Sequence, residues 1–364
     1  MKIKEIINTL ETWAPPSYQE KYDNARLITG NPNDELKGVL ITLDCIEDVV
    51  QEAIEKNCNL IVAHHPIVFG GLKSLTGKTY VGRTVIRAIK NDIAIYAIHT
   101  NLDNVYNGVN KKIADIIGLT NLKVLSSKPS TLSKLVTFIP QENTQQILDQ
   151  LYATGAGEIG NYDHCSFTTQ GTGTFRPNPQ ANPHIGQSGQ EENVQEQRIE
   201  LMFPTHLQGR VVNALKSAHP YEEVAYYVTP LSNTNQEVGA GLVGVLKAEM
   251  DIVDFMRFIK KEFNLHTIRH TKTHKSKVQK IAVCGGAGSF LLPNARNAKA
   301  DVYITADYKY HEFFDAEDCI TILDIGHYES EVFTKELIYD YLKEKFANIA
   351  LNLSEVVTNP INYF

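Results

Sequence analysis

Asn59-Leu60-Ile61-Val62-Ala63-His64-His65-Pro66 is the stretch from which the rest of the chain can be read. A short run of branched and small apolar residues stops at two imidazoles and a proline. Such a run, without polar alternation, reads as a strand buried on both faces, as in a parallel sheet. Polar residues at its carboxyl end then stand where open α/β sheets place their ligands. Successive residues of a regular strand point to opposite faces, so two readings are open. Either one histidine belongs to the core and the other to a site, or the strand ends at Ala63 and both rings turn to a common cavity. Pro66 favours extended backbone at His65 and removes a ladder donor, which suits an ending strand. Two adjacent imidazoles can each take a different metal ion.

Outward from this strand the pattern alternates. Residues 38–43, 60–63 and 93–98 read as strands, and 47–56 and 80–90 as helices, the first with Val49, Val50, Ala53 and Ile54 on one face. This alternation predicts βαβ units and a mainly parallel sheet. The last third repeats the plan, with strands at 280–284, 301–305 and 319–323 and a short helix after Gly285-Gly286-Ala287-Gly288. An ungapped offset of 242 lays Val39 on Ile281, Leu60–Ala63 on Val302-Tyr303-Ile304-Thr305, and His64-His65 on Ala306-Asp307. The expectation is an α/β protein in which two similar halves, 1–126 and 240–364, form one metal-binding unit. Between them, 127–239 reads strand, helix, strand, helix, strand, which predicts an inserted ferredoxin-like α+β domain. Its segment 170–197, rich in Gly, Pro, Asn and Gln, reads as a long loop, functional or mobile.

Further ligand candidates lie at equivalent rims. The strand at 93–98 runs into His99-Thr100-Asn101-Leu102-Asp103, which places the Asp103 carboxylate on the loop after it. His99, nearer the strand end, is a candidate ligand, base or partner of a ligand. His327 and Glu331 are spaced i, i+4 at the start of a helical stripe over 332–346, so they share one face of its first turn. Glu329 faces elsewhere, and Gly326 permits a sharp entry into the helix. Each feature has a plain alternative: core histidines, a solvated helix pair, an N-capping aspartate. Their coincidence at βα rims favours a metal site. His266, His270 and His274 read as exposed, the glycine stretch 285–288 as a tight turn, and His219-Pro220-Tyr221-Glu222-Glu223 as a structural turn.

Bulk properties narrow the function classes. The 364 residues suffice for two or three domains. A net charge of −7 without a basic block does not favour nucleic-acid binding. No apolar stretch approaches the ~20 residues of a membrane span, and the first residues read as an amphipathic helix, not a signal peptide. Five scattered cysteines without a Cys-x-x-Cys pair fit a reducing cytoplasm.

Four segments together resemble the NIF-three-like family, also called the GTP cyclohydrolase I type 2 family: Ile61–Pro66, His99–Asp103, Ala300–Glu312 and Gly326–Glu331. The resemblance covers nearly the whole chain. It implies a paired-metal centre between two α/β halves, assembled as a toroidal homohexamer. Longer members carry a PII/CutA-like insert, and 127–239 looks like that insert. Carried over by motif, the ligands are His64, His65, Asp103, His327 and Glu331, with Glu331 bridging two divalent ions. Mixed imidazole and carboxylate ligation suits zinc first, with manganese or iron as alternatives. The chain departs from the family at Tyr22-Asp23-Asn24-Ala25-Arg26-Leu27, where Trp-Asp-Asn-x-Gly-Leu is usual, and at Ala306, where glycine is usual. Both departures bear on the pocket wall rather than on a ligand. The expected function is a metal-dependent hydrolase of a nucleotide or small phosphorylated compound, with His99 as proton shuttle. The rival expectation is a non-catalytic, ring-shaped metal-binding adaptor or ligand sensor.

Overall fold

In the computed structural model, which describes residues 1–364, Leu60–Ala63 is a strand with every residue buried. It pairs in parallel with Val39–Thr42 on one side and Ala94–Ala97 on the other. The full sheet runs Leu27–Thr29, Ala94–Ala97, Leu60–Ala63, Val39–Thr42, Leu351–Leu353. Helices Glu47–Glu55 and Tyr80–Lys90 bury Val49, Val50, Ala53, Val85 and Ala88 in a cluster with Leu40, Ile61, Ala63 and Ile95 of the sheet.

A second sheet runs Arg269–His270, Thr321–Asp324, Val302–Ala306, Lys277–Ala287, Gly239–Asp251, Thr120–Ser127. Its first four strands repeat the order of the first sheet. Val39 pairs with Leu60 in one sheet, and Ile281 with Val302 in the other. The 242-residue offset read in the sequence is therefore a shared strand register. Each half also gives a strand to the other's sheet: Thr120–Ser127 joins the second, and Leu351–Leu353 the first. One apolar core joins both sheets through helices Ile3–Trp13, Val109–Ile117, Ile252–Glu262 and Thr334–Lys345. Met1–Ser127 and Gln236–Phe364 accordingly form one compact unit.

Lys128–Asn235 is a second compact unit. Its strands, in the sheet order Ser166–Phe175, Glu192–Pro204, Leu132–Pro140, Tyr226–Pro230, are antiparallel throughout. With helices Thr144–Tyr152 and Gln208–Ala218, this is the split βαβ arrangement of ferredoxin-like domains.

Three expectations need correction. Segment 170–197 is not one long loop: Gln170–Phe175 and Glu192–Gln197 are the distal arms of a hairpin, leaving 176–191 as its connection. These arms escaped notice because half of their residues are exposed and they lack the apolar alternation that marks a strand. The helix expected over 332–346 is present as Thr334–Lys345, but its first turn does not carry His327 and Glu331. His327–Glu331 forms its own short helix, and Thr334–Lys345 begins after a turn in which Phe333 packs edge-on against Phe263. The glycine stretch is not a plain turn either, since the strand Lys277–Ala287 runs through Gly285 and Gly286.

Ile61 is fully buried in the central strand. We expect Ile61→Ala to lower stability by about 2–5 kcal/mol. Urea unfolding followed by fluorescence of Trp13, the single tryptophan, checks this, because Trp13 stacks on Tyr341 within the same unit at 4.2 Å. A change below about 1 kcal/mol would show that the strand is not a core element.

Candidate metal centre

The ladder hydrogen bonds of Leu60–Ala63 continue past its end: His64 N–H reaches Thr42 O at 3.2 Å and His65 N–H reaches Leu43 O at 2.9 Å. Both rings nevertheless come to one cluster, their centroids 4.9 Å apart. His64 is fully buried, and its Nδ1 lies 2.8 Å from Ile98 O. A carbonyl only accepts, so Nδ1 carries the proton and Nε2 presents a lone pair. That Nε2 has no hydrogen-bond partner. It faces Asp103 Oδ1 at 3.6 Å and Glu331 Oε1 at 4.0 Å. Asp103 Oδ1 is likewise buried and unpartnered.

On the other side of Glu331, Oε2 is 3.0 Å from His65 Nε2 and 3.0 Å from His327 Nε2. The two nitrogens are 3.3 Å apart. Each ring is held from behind by a carboxylate, His65 Nδ1 by Asp44 at 2.7 Å and His327 Nδ1 by Asp307 at 2.7 Å. Such partners orient an imidazole and raise its basicity as a ligand. The five side chains form two trios that share Glu331, His64–Asp103–Glu331 and His65–His327–Glu331, and His99 joins His64 and His65 in a third.

These separations suit metal ligation. Two ligands at about 2.0–2.2 Å from one tetrahedral ion stand roughly 3.3–3.6 Å apart. The donor set is borderline nitrogen plus hard oxygen, which accepts zinc, manganese or iron. Two buried polar atoms with no protein partner, His64 Nε2 and Asp103 Oδ1, are what such an ion would satisfy. The residues present therefore fit a metal ion.

The electrostatics agree. Burial drives His64 down to about 3, against the attraction of Glu331, so it is neutral. Burial also opposes charge on His65, but hydrogen bonds to Asp44 and Glu331 outweigh it and hold its pKa up at about 10. His327 is raised to about 9, because Glu331 and Asp307 outweigh burial in the same way. Burial would raise Glu331, yet His327 and His65 keep it well below the usual carboxylate range. Asp103 is pushed well above that range by burial and by the Glu331 charge.

Several residues that build the site went unread in the sequence. A Cβ at Gly286 would overlap Glu331 Oε1, so the glycine stretch leaves room for the Glu331 carboxylate. Gly286 has φ +60, in the left-handed region that favours glycine. Its N–H donates to Ser330 Oγ at 3.0 Å. Asn110 donates to Asp103 O at 3.0 Å and accepts from Gly285 N–H at 3.0 Å, which ties the two halves beside the ligands. Asp23 receives the His99 Nδ1 proton at 2.8 Å and the Thr100 N–H at 3.0 Å. Burial opposes its charge, but His99 and Thr100 hold Asp23 down at about 2. Asp44 and Asp307 each follow a strand of the repeated plan, and that position was the available signal. Of the features set aside, His266 and His270 are exposed, and His219 is fixed by Phe138 O and Tyr221 N–H within its own turn.

The cluster opens on a cavity of about 350 Å³. Its walls include the aromatic side chains Tyr22, Phe69 and Phe290, all largely exposed, and no lysine or arginine. Tyr22 lies 6.2 Å from Phe69, and Phe69 lies 6.0 Å from His99.

Comparison with known proteins agrees with this architecture. The profile of the Duf34/NIF3 (NGG1p interacting factor 3) family matches residues 1–360. A Bacillus subtilis protein named GTP cyclohydrolase 1 type 2 homolog is 38% identical over 366 residues, 99% of this chain and 98% of that one. One of the same name from Halalkalibacterium halodurans is 39% identical over 363 residues, 98% of each. The crystal structure of a Bacillus cereus protein related to NIF3 superposes with a TM-score of 0.89 at 38% identity, covering 100% of this chain and 99% of that one. A Staphylococcus aureus structure gives 0.79 at 31%, with the same coverage. With the repeated sheets, the histidine-bearing strand end and the match over the full length, the chain belongs to the Duf34/NIF3 family.

Proposed function

We propose that this protein is a metal-dependent hydrolase that acts on a nucleotide or another small phosphorylated compound. The observation that carries the reading is the pair of unsatisfied buried atoms, His64 Nε2 and Asp103 Oδ1, facing the Glu331 carboxylate beside an open cavity. His64, Asp103 and Glu331 would hold one divalent ion, and His65, His327 and Glu331 a second, with zinc the first choice. Two such ions supply positive charge that lowers the pKa of a bound water and polarises a phosphoryl or carbonyl oxygen.

The chain's own residues do the remaining work. Asp44 and Asp307 keep the Nδ1 protons of His65 and His327, which leaves Nε2 to each ligand. Asp23 orients His99 on the cavity wall, where its free nitrogen can take or return a proton. Tyr22, Phe69 and Phe290 offer flat apolar faces for a base or other planar group. The names of the relatives point the same way, toward hydrolytic chemistry on a purine nucleotide. Family resemblance adds assembly as a toroidal homohexamer. Five unpaired cysteines support a reducing cytoplasmic setting, and no helix is long and apolar enough to cross a membrane. A non-catalytic metal-binding adaptor role draws on one observation: with no lysine or arginine on the cavity wall, a phosphoryl group has only bound ions for its charge.

Three outcomes are expected. Metal analysis of zinc-loaded protein should show Glu331→Ala losing both ions, while His64→Ala and His327→Ala each lose one; undiminished content in Glu331→Ala removes it as the bridge. Because His65 and His327 each face carboxylates from both nitrogens, ligation must displace protons held up to about 10 and about 9. Zinc affinity should therefore rise with pH through neutrality, about tenfold per pH unit for each displaced proton. Calorimetry in buffers of different ionisation enthalpy measures that release, and identical heats in all buffers would contradict it. Finally, a screen of metal-replete protein against nucleotides and phosphoesters should find a turnover that His65→Ala abolishes. No turnover in protein with two ions bound would favour the adaptor role.

A further inference from the structure

The four-stranded sheet of the Lys128–Asn235 unit has a helix-covered face and an open one. Ile199, Leu201 and Phe203 point to the helices and are buried. By strand alternation Glu196, Arg198 and Glu200 point to the open face. Gly171 stands directly across from Glu196, and Gly173 lies two residues further along the same edge strand. Neither brings a side chain to that face, and a Cβ at Gly173 would overlap the Glu196 carboxylate. The connection 176–191 and residues near Tyr221 cover the space that results. The outcome is a cavity of about 720 Å³, lined entirely by residues of this unit. That volume is in the range of small-molecule sites, about 300–1,000 Å³.

The chemistry of the lining is selective. Glu196 is only 8% exposed and forms no ion pair. The neutral hydroxyl of Tyr221 lies beside it, and burial with the Glu196 charge holds that phenol up at about 12. Tyr221 Oη is buried without a well-formed hydrogen bond. The tyrosine ring is braced by His219 at 4.9 Å and stands 6.1 Å from both Phe175 and His184. His219 is itself locked, donating from Nε2 to Phe138 O at 2.9 Å and accepting the Tyr221 N–H at Nδ1. Among the other charges of the wall, Arg198 pairs with Glu200 at 2.6 Å and Glu222 accepts the Asn182 N–H at 2.8 Å, while Arg176 and Glu223 also line it. A buried carboxylate without a cation is costly. Here it faces aromatic walls, whose π faces attract positive charge.

We propose that this cavity binds a flat organic cation carrying an amidinium-type pair of N–H groups, with the pair on Glu196 and the flat body against Phe138, Phe175 and Tyr221. Charge-assisted pairing with a carboxylate supplies orientation and strength, and the aromatic walls accept the delocalised charge. The site is independent of the metal centre and of any hydrolytic activity.

Calorimetric titration of the full chain with benzamidine, and with its neutral near-isostere benzamide, tests this. Benzamidine is expected to bind once per chain, and benzamide about tenfold or more weaker. Glu196→Gln should weaken benzamidine by a similar factor and leave benzamide unchanged. Gly171→Val should block both, since a Cβ there meets no atom within 4 Å and projects into the cavity without disturbing the sheet. Thermal melting and metal content of both variants should match the parent. Failure of benzamidine to bind, equal binding of the two probes, or full benzamidine affinity in either folded variant would each overturn the assignment.

Discussion

Glu331 is the constraint around which the larger unit is organised. A carboxylate at 3% exposure costs several kcal/mol unless it is paired on all sides. Its partners come from separate parts of the chain: His65 from the first half, His327 from its own helix, and His64 and Asp103 across the cavity. Each partner needs a support of its own, which explains Asp44, Asp307 and Ile98 O behind the three rings. The demand extends to the backbone, where only glycine at 286 leaves space for Oε1. Removal of any one support leaves another buried polar group unpaired, so the network stands or fails together.

The repeated halves explain how such a cluster arises. Helix His327–Glu331 follows the strand Thr321–Asp324, and the short helix Thr100–Asp103 follows Ala94–Ala97, the equivalent strand of the first sheet. Asp103 and Glu331 thus occupy corresponding places in the two halves. The histidine pair breaks the correspondence, since Ala306 and Asp307 stand where His64 and His65 do. Asp307 has become a support for His327. One half supplies imidazoles at that position, and the other supplies the carboxylate that orients one.

Much of this was legible in the sequence. Leu60–Ala63 and Tyr80–Lys90 appear with the bounds their patterns gave, because buried strands and amphipathic helices are written in hydrophobicity. The five ligand candidates were legible as polar residues at strand ends, and the structure gathers them. What escaped was whatever depends on partners distant in sequence. Gly286 read as a turn residue because its role is defined by Glu331, 45 positions later. The hairpin arms around 170 and 197 lacked apolar alternation because their residues, apart from Phe175 and Val194, are polar or glycine. The turn before Thr334 sets Phe333 against Phe263, a contact that no local pattern reveals.

The antiparallel pairing of Thr120–Ser127 with Gly239–Asp251 sets Ser127 opposite Gly239, and Gln236 Nε2 donates to Ser127 Oγ at 3.2 Å. The 128–235 unit therefore leaves and re-enters the chain at what is, for the larger unit, the tip of a hairpin. Closing a longer connection there costs only about 0.6 kcal/mol for each doubling of its length. The scaffold of the candidate metal centre is thereby indifferent to what hangs from that tip. In evolutionary terms it is a docking port in the gene, where a foldable segment can be acquired, exchanged or lost without renegotiating a single ligand.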